Sequence, residues 1–445
     1  MKRIFIKNAT IVNENKQFRG SVVLDNGIIV EILSDREMPA GPCDKEIDAT
    51  GCYLLPGIID EHVHFRDPGY TYKADVETES CAAAAGGVTS IMDMPNNYPQ
   101  TITIDALNAK LDYMAEHCIV NYSCYFGATN TNSDLLDKLD NSRVCGIKIF
   151  MGSSTGNMLV DNDESLERIF KGTNKLIATH CEDQKIINEN TQKIAGDLDD
   201  VPITQHPYIR SPLACFKSTS KAIKLATETG ARLHILHIST SAELKLLKIK
   251  PFEKKRITAE VCIPHLIFSS RNYHELGSLI KCNPAIKRHS NEVALQRAIN
   301  SSQIDTIATD HAPHLLSEKQ GGALKARSGI PMIQFSLVCM LELVSNKITT
   351  IETLVEKMCH NPALIYGIRN RGFIRQGYQA DLVLVRPDQE WTLTNDCILS
   401  KCKWSPLEGR KFTWKVEQTF VNGELVYTDN EVNKNCRGQE LIFER

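Results

Sequence analysis

The sequence predicts an α/β protein, a (β/α)8 barrel of TIM type with a small β-sandwich built from both chain ends. Three observations carry this prediction. Both ends are rich in short apolar-alternating runs joined by Asn-Gly turns. The middle alternates apolar β-type runs with helical stretches, the mark of βα units and a parallel sheet. Eight such runs fill a span that fits one barrel of about 250–310 residues.

The elements follow in chain order. Arg3–Ile6, Gly20–Leu24 and Gly27–Leu33 read as strands, with Asn26-Gly27 as a hairpin turn. The barrel runs are Ile58–Asp60 leading into His62 and His64, then Val88–Met94, Tyr122–Ala128 and Val144–Met151. Lys175–His180, Arg232–Ile238, Arg256–Ile263 and Asp305–Asp310 complete the eight. A helix is expected over Thr71–Ala85, stopped by Gly86-Gly87. Asp381–Val385, Thr413–Val421 and Glu424–Tyr427 are strand-like again, with Asn422-Gly423 as the turn. Neither end makes a core alone, so they are expected to pack together. The predicted organisation is 1–56 and 368–445 as the two parts of the sandwich and 57–367 as the barrel.

Composition bounds the function. The chain has 445 residues, 42% hydrophobic and 24% charged, ample for a packed core. A net charge of −3 leaves no basic footprint for nucleic acid and no polybasic membrane patch. No apolar run approaches the roughly 18–20 residues that span a bilayer, and the N-terminus lacks a signal-peptide core. The 15 cysteines follow no repeated spacing and contain no CxxC pair. They read as reduced thiols of a cytoplasmic protein.

Metal-capable side chains stand late in several barrel strands. His62 and His64 are two residues apart and share one face of a strand, so both imidazoles can reach one ion. Lys148 sits between Ile147 and Ile149 in a run too apolar to keep an ammonium cheaply. It is either paired with a carboxylate, snorkelling, or neutral and carboxylated by CO2 to a carbamate that bridges two cations. His180, His237 and Asp310 end three further strands. Together they offer one ion to His62, His64 and Asp310 and a second to His180 and His237, with Lys148 between. Imidazole and oxygen ligands suit zinc, and two ions about 3.5–4 Å apart activate a bridging hydroxide.

The segment Asp60-Glu61-His62-Val63-His64-Phe65-Arg66-Asp67-Pro68-Gly69 resembles the signature of cyclic amidohydrolases, dihydroorotases in particular. So does Asp310-His311-Ala312-Pro313-His314. Ala85-Gly86-Gly87-Val88-Thr89 with Met94-Pro95-Asn96-Asn97 is similar to a third motif. Thr179–Asp183, Leu236–Ser239 and Asn283–Ile286 follow in the family's order. Lys148 within Gly-Ile-Lys-Ile-Phe-Met is similar to the hydantoinases and the lysine-bearing dihydroorotases.

The resemblance implies reversible cyclisation of N-carbamoyl-L-aspartate to dihydroorotate plus water, a step of pyrimidine biosynthesis. It implies two Zn2+ per subunit, with Mn2+ or Co2+ as substitutes, a carbamate on Lys148, and a homodimer or larger homo-oligomer. Asp310 is the implied general base and acid. Arg66 would take the substrate carboxylate in bidentate fashion, helped by Asn96 and His314. Asn283 and the backbone at Ser328 and Gly329 are the further substrate contacts. The alternatives are an allantoinase or a dihydropyrimidinase (hydantoinase) acting on an uncharged ring, and a non-catalytic scaffold.

Overall fold

A computed structural model of the chain describes residues 3–152 and 158–444. Its N-terminal strands are β1 (Ile4–Asn13), β2 (Lys16–Asp25), β3 (Ile28–Ser34), β4 (Lys45–Asp48) and β5 (Tyr53–Pro56). Next come β6 (Ile58–Val63), β7 (Val88–Asp93), β8 (Asn121–Cys124), β9 (Phe126–Gly127) and β10 (Ile147–Phe150). They are followed by β11 (Ile177–His180), β12 (Leu233–Ile235), β13 (Ile257–Cys262) and β14 (Thr306–Ala308). The C-terminal strands are β15 (Leu382–Arg386), β16 (Trp391–Thr392), β17 (Lys411–Phe412), β18 (Lys415–Val421), β19 (Glu424–Thr428) and β20 (Glu431–Val432).

The two chain ends share one nine-stranded sheet, ordered β20-β19-β18-β15-β5-β1-β2-β3 with β4 beside β1. They knit together at its centre, where Leu382 of β15 pairs antiparallel with Pro56 of β5. Side chains from both ends fill one core, including Ile6, Ile11, Leu24, Leu54, Leu384 and Phe420. Each such buried side chain contributes about 1.5–3 kcal/mol. Both expected hairpins form, and the left-handed backbone at Asn26-Gly27 (φ 48° and 83°) and Asn422-Gly423 (φ 51° and 78°) explains the Asn-Gly choice. A third hairpin joins β1 to β2 through Glu14-Asn15, at φ 50° and 58°. That turn has no glycine to announce it, and pairing with β2 carries β1 well past the expected Arg3–Ile6, to Asn13.

The middle of the chain is a mixed α/β domain of parallel strands. One sheet is β6-β7-β8 and another is β9-β10-β11-β12-β13-β14. Strands β8 and β9 are halves of one expected run, divided at Tyr125. The Tyr125 N–H still donates to Asp93 O in β7 (3.0 Å), while Phe126 N–H donates to Gly146 O (3.1 Å). At the other flank Val63 bridges His311, and His64 N–H donates to His311 O at 2.7 Å. All six residues of β7 are buried, as befits a parallel strand covered on both faces. Helices follow the strands, among them Val76–Ala85, Ile104–His117 and His289–Ala298. The first starts later than the expected Thr71, because Asp75 stays extended and its Oδ1 caps Thr78 N–H (2.8 Å). The C-terminal tail returns to the parallel strands, where Leu441 N–H donates to Tyr122 O at 2.8 Å.

Candidate active site

The loops after the parallel strands enclose a cavity of about 640 Å³. All six expected ligand positions line it: His62, His64, Lys148, His180, His237 and Asp310. So do the six expected contact positions: Arg66, Asn96, Asn283, His314, Ser328 and Gly329. Three of these residues leave their strands in the left-handed region, Arg66 at φ 66°, His237 at 40° and Asp310 at 48°. Such backbone costs a non-glycine residue of order 1–3 kcal/mol, and it concentrates at functional sites.

Three ligand atoms converge around Asp310. Its Oδ1 lies 3.3 Å from His62 Nε2 and 3.1 Å from His64 Nε2. A second pair meets where His180 Nδ1 comes within 2.8 Å of His237 Nε2. The far nitrogens show how the rings are held. His62 Nδ1–H donates to Glu260 Oε1 at 2.8 Å, and His64 Nδ1–H to Asn96 Oδ1 at 2.7 Å. His180 Nε2–H donates to Glu182 Oε2 at 3.1 Å, and Glu182 is itself paired with Arg210. The rings of His62, His64 and His180 therefore turn a lone pair toward the cavity, the tautomer that metal-bound histidines have. This donor set, four imidazoles and a carboxylate with three of the outer nitrogens engaged, fits divalent cations.

Charge and burial agree with the tautomers. Burial pulls His64 down to about 4 despite Asp310, and burial also lowers His180 and His237, so the rings stay neutral. Burial pushes the Asp310 carboxyl up, but His62, His64 and Lys148 hold it below the usual carboxylate range. Lys148 is buried, with its Nζ 4.7 Å from the centre of the Phe150 ring. Burial pulls it down to about 8.

The opposite side of the cavity is cationic. Arg66 is buried, its Nε–H donates to Pro313 O at 3.1 Å, and its Nη2 lies 3.2 Å from His314 Nε2. Lys73 Nζ donates to His314 Nδ1 at 3.1 Å and pairs with Glu318 at 3.3 Å. His314 Nε2–H then donates to Ser328 O at 3.0 Å. Among the described residues no carboxylate lies within ion-pair distance of Arg66. The two nearby aspartates are engaged elsewhere, Asp93 by Lys110 (2.6 Å) and Phe65 N–H, Asp67 by Val76 N–H.

Other expected contacts have definite partners. Asn96 Oδ1 is taken by His64, so Asn96 orients that imidazole as well as lining the cavity. Asn283 Oδ1 is buried with no hydrogen-bond partner among the described residues. Gly329 N–H donates to Lys281 O (2.8 Å), and a Cβ at Gly329 would meet Ala312 O at 2.3 Å. Sequence reasoning missed Glu182, Glu260 and Lys73. Glu182 had a signal, two residues after His180 in Thr-His-Cys-Glu. Lys73 and Glu260 had none, since each finds its partner only through the fold.

Residues 53–426 match the amidohydrolase family. A dihydroorotase of Methanosphaera stadtmanae is 32% identical over 440 residues, covering 98% of each chain. An allantoinase of Salmonella paratyphi B is 28% identical and covers 95% of each. The L-hydantoinase (dihydropyrimidinase) from Arthrobacter aurescens superimposes with a TM-score of 0.91 at 26% identity, over 97% of this chain and 98% of its own. That superposition takes in both the parallel strands and the nine-stranded sheet. A match that spans both the parallel strands and the sheet strands β5 and β15 leaves one conclusion: the chain belongs to the amidohydrolase family.

Proposed function

We propose that this chain is a dihydroorotase, interconverting N-carbamoyl-L-aspartate and dihydroorotate plus water. The observation that carries this reading is Arg66, a buried guanidinium facing the cavity without a protein carboxylate of its own. A buried cation needs a partner, and the substrate carboxylate outside the ring supplies one. The rings of allantoin and dihydrouracil carry no such group. The 32% identical dihydroorotase points the same way.

In this reading the strands close a (β/α)8 barrel, supported by the His64–His311 contact, with the domain division at 56/57 and 367/368. His62, His64 and Asp310 would hold one cation and His180 and His237 the other, with Lys148, as a carbamate, supplying an anionic oxygen ligand to both. Zinc suits these donors, with manganese or cobalt as substitutes. Two such ions, when bound, supply Lewis-acid polarisation and a water of lowered pKa.

The chain's own residues do the rest. Arg66 and His314 seat the carboxylate and so fix the reacting amide at the strand ends. Asn283 Oδ1, unpartnered, accepts a ring N–H. In ring opening Asp310 takes the proton of the attacking water and hands it to the leaving ring nitrogen. In ring closure Asp310 takes the ureido N–H proton instead and gives it to the departing water.

The test is a direct assay of the purified protein with N-carbamoyl-L-aspartate, allantoin and dihydrouracil. Turnover of the first alone is expected. Turnover of the uncharged rings alone overturns the assignment.

A further inference from the structure

The strand that carries His62 and leads into His64 contains a bulge. Asp60 pairs with Ile91 and Val63 with Asp93, so three steps on β6 face two on β7. A bulge re-aims side chains, and here consecutive residues, Glu61 and His62, both reach toward Glu260 and the strands opposite. Glu61 is fully buried, and neither of its carboxylate oxygens has a hydrogen-bond partner among the described residues.

Two more acceptors face it. His234 Nε2 lies 3.9 Å from Glu61 Oε1 and 3.9 Å from Glu260 Oε2. Glu260 is also fully buried and divides its work. Its Oε1 accepts from His62 Nδ1–H, from His237 N–H (2.9 Å) and from Cys262, while its Oε2 has no partner. The tautomer of His234 follows from its other side. Its Nδ1–H donates to Thr258 Oγ1 at 2.8 Å, and the Thr258 hydroxyl donates to Leu233 O at 3.4 Å. The lone pair of Nε2 therefore points at the two carboxylates. Burial and then Glu260 push the Glu61 carboxyl up, and the Thr306 hydroxyl, 3.5 Å from that nitrogen, pulls it part of the way back.

Two buried carboxylates and an imidazole lone pair thus converge beside the neutral Thr306 hydroxyl, a costly arrangement unless something positive sits between. We infer that Glu61, His234 and Glu260 hold a divalent cation between the strands, distinct from the ligand cluster at the strand ends. Ligands about 2.0–2.2 Å from one ion stand roughly 3.3–4 Å apart, and the 3.9 Å separations fall in that range. Carboxylates with an imidazole select zinc or manganese. Such an ion enters as the chain folds and is part of its folding energy. Through Glu260 it also braces His62.

The test uses the full chain purified with zinc and then desalted. An anomalous difference map at the zinc edge is expected to show a peak enclosed by Glu61, His234 and Glu260. Glu61→Gln and His234→Phe are each expected to carry one zinc fewer per chain than the parent. A parent map with no peak there, or variants with unchanged zinc, overturns the inference. In that case protons neutralise the cluster, seen as an infrared carboxylic-acid band that disappears in Glu61→Gln. Where a variant fails to fold, the parent map decides. The map separates this position from the strand-end cluster, so absence of either ion is read independently of the other.

Discussion

The two sides of the cavity are built on different principles. On the histidine side the rings of His62, His64 and His180 are fixed from behind by Glu260, Asn96 and Glu182, and they face inward with lone pairs beside the Asp310 carboxylate. On the cationic side Arg66 and Lys73 crowd around His314, with Glu318 the only carboxylate among the described residues in ion-pair contact with the trio. In the proposed reading the first side carries the chemistry and the second selects the substrate by charge. Substitutions should therefore separate into those that abolish chemistry on any substrate and those that move substrate preference.

The largest effect is expected at Asp310. Asp310→Asn removes both a ligand and the proton carrier, and kcat should fall by at least about 10³-fold; a smaller fall in steady-state assays removes Asp310 from proton transfer. Lys148→Ala should likewise abolish turnover and lower metal content. Full activity with metal retained would break the bridging role.

Arg66→Met should reduce kcat/KM for N-carbamoyl-L-aspartate by about 10²–10³-fold, matching the roughly 2–5 kcal/mol lost when one partner of a buried charge pair is truncated. Metal content should stay the same, and this is the variant that tests the division between the two sides. Glu182→Gln should weaken metal binding about 10- to 100-fold, read by chelator competition, while leaving KM nearly unchanged.

The smallest effect is a pH dependence. Burial, and then Arg66, pull Lys73 down to about 8. Above that pH the side chain loses its proton and the cationic side loses a charge. KM for the dianionic substrate should therefore rise as pH increases through 8, by about two- to five-fold at the surface-pair energies of roughly 0.5–1 kcal/mol. Lys73→Met should show the raised KM at all pH values and no step; a step that persists assigns the titration to another group.

Much of this geometry was legible in the sequence because strand ends are local. His62 and His64 share a face by alternation alone, and His180, His237 and Asp310 each close a run whose apolar residues announce the strand. Asn-Gly at 26–27 and 422–423 announced its hairpins for the same reason, since only a left-handed pair fits there. What escaped was non-local. Glu260 reaches a histidine 198 positions away, and Lys73 reaches another 241 positions away. The bulge in β6 breaks the alternation that would have turned Glu61 away from His234, and a bulge leaves no mark in the order of residue types. Glu14-Asn15 shows the limit of turn signals: without glycine this two-residue hairpin went unread.

The seam between β5 and β15 has a consequence for how the molecule is made. Leu54 finds its partner Leu384 only after 330 residues have intervened, and Leu441 is among the last to dock, beside Tyr122. On the ribosome the first-made sheet strands must wait, one apolar edge open, while the whole catalytic domain is synthesised and collapses. That exposed interval, rather than the finished structure, is where heat, crowding or a shortened C-terminus should do the most harm.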